Sequence, residues 1–132
     1  MSTLRVDTVS NAAGSGSPDV GINTSGIAKA WVNFNGTGTV AIRGSFNVSS
    51  ITDNGTGNYT VNFATAMADA NYQVSMSSVS YFSTNFSTFA FIRAGSSATT
   101  ANQKTTTQLN VMYGSYGGTY FDSNEMNVAV FR

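Results

Sequence analysis

The sequence predicts an all-β protein: an antiparallel, jelly-roll-like β-sandwich of about seven or eight short strands, preceded by an extended N-terminal arm. Three observations lead there. From Ala28 onward, apolar and polar residues alternate with a period of two. The alternating runs are short and are separated by Gly, Asn and Asp at turn positions. Only ATAMADAN, at 64–71, sets helix-favouring residues in a row, and it is long enough for about two turns.

Residues 1–27 stand apart from the rest. LRVDTV offers Leu4, Val6 and Val9 as apolar positions, and SNAAGSGSPDVGINTSG then holds the chain's single proline, Pro18, with four glycines. Such a composition cannot bury a core of its own, so it is expected to lie on another surface as an arm or linker. Leu4, Val6, Val9 and Pro18 are its candidate anchoring residues. Residues 28–132 form the β-domain.

The strands follow in order. AKAWVNF (28–34) is joined through Asn35, Gly36, Thr37 and Gly38 to TVAIRGSFNV (39–48), where Val40, Ile42, Gly44, Phe46 and Val48 share the expected inner face. NYTVNF turns Tyr59, Val61 and Phe63 inward. The Asp-Asn-Gly run of the preceding TDNGTG tolerates positive φ, so residues 39–63 read as a hairpin. In NYQVSMSSVSYF (71–82) the apolar face changes from Tyr72, Val74 and Met76 to Val79 and Tyr81, which predicts a bulge or bend near Ser77 and Ser78. FSTFAFIR (86–93) is apolar on both faces, so it is expected to be central in the domain or covered by a second copy. TTTQLNVMY (105–113) and EMNVAVF (125–131) complete the set.

Composition limits the functions open to this fold. Charged residues make up 9% of the chain, and six Lys and Arg balance six Asp and Glu. A surface of hydroxyls and amides has no field to gather phosphates or anionic lipid, so neither nucleic acid nor a membrane surface is expected as a partner. No run approaches about eighteen apolar residues, so no membrane insertion is expected. Low charge also removes the self-repulsion that keeps monomers apart, which favours assembly. The start, Met1 to Asp7, has neither the basic residues nor the apolar run of a signal peptide, so the chain is expected to fold in the cytoplasm. Six Asn-x-Ser/Thr sequons are what a chain rich in these residues holds by chance.

The chemistry is narrower still. With no histidine and no cysteine, the usual neutral-pH base, the thiol nucleophile and the common zinc ligands are all missing. Carboxylates alone could hydrolyse glycosides, but Asp7, Asp19, Asp53 and Asp69 fall in the arm or in turns. Asp122 and Glu125 are the nearest pair, too few for a calcium loop, so no metal, cofactor or catalytic residue is expected. GSGSPD, GTGTV and GSYGGT lack the ending of a phosphate-binding loop and read as turns.

Aromatic residues carry more information. Tyr81, Phe82, Phe86, Tyr113, Tyr116, Tyr120 and Phe121 gather in the second half, partly in loops. They are candidates for receptor or subunit-interface contact, with burial in the core as the alternative.

One segment resembles a known family. AWVNFNGTGTVAIRGSFNVSSITDNGTGNYTVNFATAMADANYQV, residues 30–74, is similar to a segment of tail-fibre and related virion proteins of bacteriophages, and LRVDTVSNAAGSGSPDVG resembles the N-terminal piece of many phage structural proteins. The resemblance implies a non-enzymatic virion protein, made in the host cytoplasm and often trimeric. It would be a short tail-fibre-like surface component joined to other virion proteins by the arm, with a host-surface glycan as a possible contact. The resemblance leaves the position on the particle open, since small β-domains with extended arms also serve as capsid decoration or cement proteins of the phage head, which is the alternative. No catalytic residue follows from it.

Overall fold

A computed structural model describes residues 26–79, 88–92, 103–115 and 117–132. Eight strands make two antiparallel four-stranded sheets: β1 (Ala28–Asn35), β2 (Ala41–Phe46), β3 (Val48–Asp53), β4 (Asn58–Phe63), β5 (Gln73–Val79), β6 (Thr88–Phe91), β7 (Gln108–Ser115) and β8 (Glu125–Phe131). Sheet A has the order β2-β1-β8-β5 and sheet B the order β3-β4-β7-β6. The described residues contain no helix, and 64–71 runs as bends that bury Met67.

The core is supplied by the two central strands of each sheet. Ala30, Val32 and Phe34 of β1 and Met126, Val128 and Val130 of β8 face Tyr59, Val61 and Phe63 of β4 and Leu109, Val111 and Tyr113 of β7. β4 and β8 alternate strictly, β1 does so from Ala30 onward, and β7 does so as far as Val111, beyond which Met112, Tyr113 and Gly114 are all buried. Phe34 meets Tyr59 edge to face with ring centroids 5.2 Å apart, and Phe63 meets Tyr72 in the same way at 5.8 Å. Full burial of side chains this size contributes about 1.5–3 kcal/mol each.

Four expectations from the sequence need correction. Residues 39–48 are not one strand. Asn47, at φ 54°, turns the chain out of sheet A and into sheet B, so β2 pairs with β1 and only β3 forms a hairpin with β4. Asn47 holds this corner with its side chain: Nδ2–H donates to the carbonyls of Lys29 and Thr65, and Oδ1 accepts from the Thr65 N–H at 2.7 Å. Asparagine tolerates a left-handed backbone better than most residues, and apolar alternation continues across the corner, so periodicity alone does not reveal it.

The expected inner face of 39–48 is also split: the irregularity at Arg43 leaves Ile42 opposite Phe34 but sets Gly44 and Phe46 on the outer face with Asn33 and Trp31, so Phe46 is 54% exposed, while Ile42 at the sheet edge is 38% exposed and Val40 and Val48 pack against the core. In β5 the register with β8 is unbroken from Gln73 to Val79, which leaves no bulge at Ser77 and Ser78 and puts Val79 on the outer side. β6 is an edge strand, which removes the central one of its two expected placements and not the one against a second copy: Ala90 packs toward the core while Phe89 on the other face is 43% exposed.

Candidate functional site

The outer face of sheet A is assembled by pairing register. Residues directly opposite on neighbouring strands share a face, and Trp31 stands opposite Phe46 on one side and Ala129 on the other, with Ser75 beyond Ala129. The next row runs Gly44, Asn33, Asn127 and Ser77. Trp31 is outward because Val32 and Phe34 on either side of Asn33 are inward, and it remains 42% exposed.

Gly44 has a specific part in this arrangement. A Cβ built on it would lie 3.4 Å from Cζ3 and 3.5 Å from Cη2 of Trp31, so the indole leans across β2 over a position with no side chain. Ala129 and the two serines are small, so the face sinks between the indole and β5. The concavity has a volume of roughly 290 Å³ and is lined by Trp31, Ser75, Ser77, Asn127 and Ala129 with Val32, Met76 and Val128.

The polar groups here are only partly engaged. Asn33 Nδ2–H donates to Asn127 Oδ1 at 2.6 Å, and Asn127 Nδ2–H donates to Glu125 Oε1 at 3.2 Å. The hydroxyls of Ser75 and Ser77 have no hydrogen bond to another described residue. Arg43, the unpaired residue of the irregularity between β1 and β2, brings Nη1 to 3.9 Å from Glu125 Oε2, outside the lining. Both ends of that ion pair are nearly half exposed, so it adds little stability.

The residues expected from the sequence fall elsewhere. Leu4, Val6, Val9, Pro18, Tyr81, Phe82, Phe86 and Tyr116 lie outside the described residues. Tyr113 is corrected to a core residue: it is 1% exposed, and its hydroxyl donates to Thr88 Oγ1 at 2.8 Å between β7 and β6. Tyr120 and Phe121 are half-buried. Tyr120 bridges back to Gly114, its ring 6.4 Å from that of Phe91, while Phe121 packs against the core. Ser115 N–H donates to Thr119 O at 2.8 Å, Gly118 N–H donates to Ser115 O at 3.0 Å and Gly118 takes φ +81°, which ties Ser115 to Gly118 and Thr119.

Asp122 and Glu125 do not form a pair. Asp122 Oδ1 accepts from the Tyr59 hydroxyl at 2.7 Å and from the Gly57 N–H at 2.8 Å, and Gly36 O also lies 3.0 Å from that hydroxyl. The neighbouring Ser123 is buried: its Oγ lies within donating distance of the carbonyls of Val79 and Glu125, and Gly36 N–H donates to its backbone oxygen at 2.8 Å. These contacts close one end of the sandwich. Burial first, then the bond to Asp122, pushes the Tyr59 hydroxyl well above the ordinary tyrosine range. Among the described residues no group of three or more acidic side chains could hold a metal.

Sequence reasoning passed over Trp31. The signal was present in AKAWVNF, where strict alternation sets the tryptophan on the face opposite Val32 and Phe34. No family model, curated protein or solved structure matches the chain.

Proposed function

We propose that this chain is a non-enzymatic structural protein of a bacteriophage particle, a short tail-fibre-like surface component. Residues 1–27 join it to other virion proteins, and copies of the β-domain assemble with one another, as a trimer. The resemblance of residues 30–74 supplies the class. The observation that carries the surface role is the outer face of sheet A, where Trp31 and Phe46 stand side by side, exposed, on a face with little charge. The carboxylates of the described residues favour the non-enzymatic reading. Asp53 accepts from the Gly55 N–H, Asp69 from Asn71 N–H and Arg132, Asp122 from Tyr59 and Gly57, and Glu125 lies by Arg43 and Asn127.

A second reading, a decoration protein of the phage head, is favoured by the bonds that tie Ser115 to Gly118 and Thr119. A protein that clamps the capsid through its arm has no need of open loops. Electron microscopy of intact particles carrying a C-terminal tag tests both. Label at the tail is expected, label over the head selects decoration, and particles free of the protein overturn the virion role.

A further inference from the structure

The concavity beside Trp31 has the chemistry of a particular ligand class. One wall is Trp31, whose aromatic side chain contributes contact area for the C–H groups of a sugar ring without a charge. The facing wall carries the Ser75 and Ser77 hydroxyls. Asn127 adds one amide hydrogen not used on Glu125 and a second lone pair on the oxygen that Asn33 occupies. A sugar hydroxyl is both donor and acceptor, so each of these groups can pair with one.

Other ligands fit less well. No charged side chain lines the space, so nothing there compensates a phosphate, a carboxylate or an ammonium. A wholly apolar ligand would strip water from two serine hydroxyls and leave them without partners, at about 1–3 kcal/mol for each group. The volume, roughly 290 Å³, is at the lower end of the range for small-molecule sites, about 300–1,000 Å³, which suits one ring and not an extended chain.

We infer that this concavity is a saccharide site, which takes one neutral pyranose ring against Trp31 and bonds its hydroxyls to Ser75, Ser77 and Asn127. The inference deepens the surface role proposed above and rests on it only for the source of the sugar, a glycan at the host surface.

Trp31 is the chain's single tryptophan, so its fluorescence reads this site alone. The full chain is titrated separately with the methyl glycosides of glucose, galactose and mannose and with a methyl glucuronide. The expected result is a saturable emission change with at least one neutral glycoside, little affected by salt and absent with the glucuronide. Ala129→Leu, which fills the concavity from an outward position, should abolish the response without moving the unfolding midpoint. The Ser75→Ala/Ser77→Ala pair should weaken binding about tenfold or more.

A flat titration with every neutral glycoside overturns the inference, and so does a response that survives Ala129→Leu. Emission that follows protein concentration instead of glycoside concentration overturns it too and assigns the face to a second copy. The two readings fail separately: a flat titration leaves the virion role standing, and unlabelled particles leave a saturable titration standing.

Discussion

The outer faces of the two sheets draw on the same residue types and use them differently. On sheet B, Asn62 Nδ2 donates to Ser50 Oγ at 3.0 Å and Thr52 Oγ1 at 2.9 Å, while Asn110 Nδ2 donates to Asn58 Oδ1 at 2.9 Å and also reaches Tyr59 O. Long amides on β4 and β7 stand across from short hydroxyls, and each spans the gap to its neighbour. On sheet A the serines of β5 stand opposite Ala129 and Asn127, and Asn127 is turned toward Asn33 and Glu125. Placement thus decides whether a polar face holds the sheet together or stays available to something else.

The largest expected effect breaks the frame that both faces share. Gly57 sits at φ +63°, and a Cβ there would lie 2.4 Å from Tyr113 O and 2.7 Å from Phe121 O, both backbone atoms. Gly57→Ala should cost about 3 kcal/mol or more in chemical denaturation, from left-handed strain together with backbone displacement. An unchanged midpoint would show that the joint between β4 and β7 is softer than described.

Alkaline titration also acts on the interior. Burial raises the Tyr72 hydroxyl to about 12 and moves Tyr59 in the same direction. The unfolded chain gives up these protons near its ordinary tyrosine value, about 10, while the folded chain keeps them. Their contribution is therefore complete below about pH 10 and is lost as pH rises through the folded values. Stability measured from pH 9 upward should fall in that window, and Tyr72→Phe should flatten part of the fall.

The next effect separates the faces. Asn62→Ala with Asn110→Ala removes the sheet B ladder and should cost about 2 kcal/mol, roughly 1 kcal/mol for each amide. Ser75→Ala with Ser77→Ala on sheet A should stay within about 0.5 kcal/mol, since neither hydroxyl bonds another described residue. Equal losses from the two pairs would abolish the distinction between the faces.

How far the sequence is legible follows from the same geometry. The central strands could be read because each buries one whole face, as AKAWVNFN and NYTVNF do with Ala30, Val32 and Phe34 and with Tyr59, Val61 and Phe63. The edges could not. Ile42 and Phe46 look like core residues by period, yet the extra residue Arg43 puts Phe46 on the outer face beside Trp31, and Ile42 lies on a strand with a neighbour on one side only. The corner at Asn47 keeps the alternation intact and so leaves no trace in it. Tyr113 follows Leu109 and Val111 at spacing two, and that parity marks it as core more firmly than its nearness to a glycine-rich turn marks it as a surface contact. The concavity needed three strands in register, and no single stretch of sequence contains it.

The smallest expected effect concerns the ion pair between Arg43 and Glu125 at the sheet A face. Arg43 and Glu125 approach to 3.9 Å with both side chains nearly half in water, so attraction is screened and offset by the freedom two long side chains lose. Arg43→Ala should shift stability by no more than about 0.5 kcal/mol, and the shift should shrink further in high salt. The same variant bears on the saccharide site, because Glu125 also accepts from Asn127. If Arg43 holds Glu125 in position, glycoside affinity falls while the unfolding midpoint stays in place. If the Asn33 to Asn127 bond alone sets the amide, both remain at the parent values, and the site depends on the floor of the sheet and not on its charged margin.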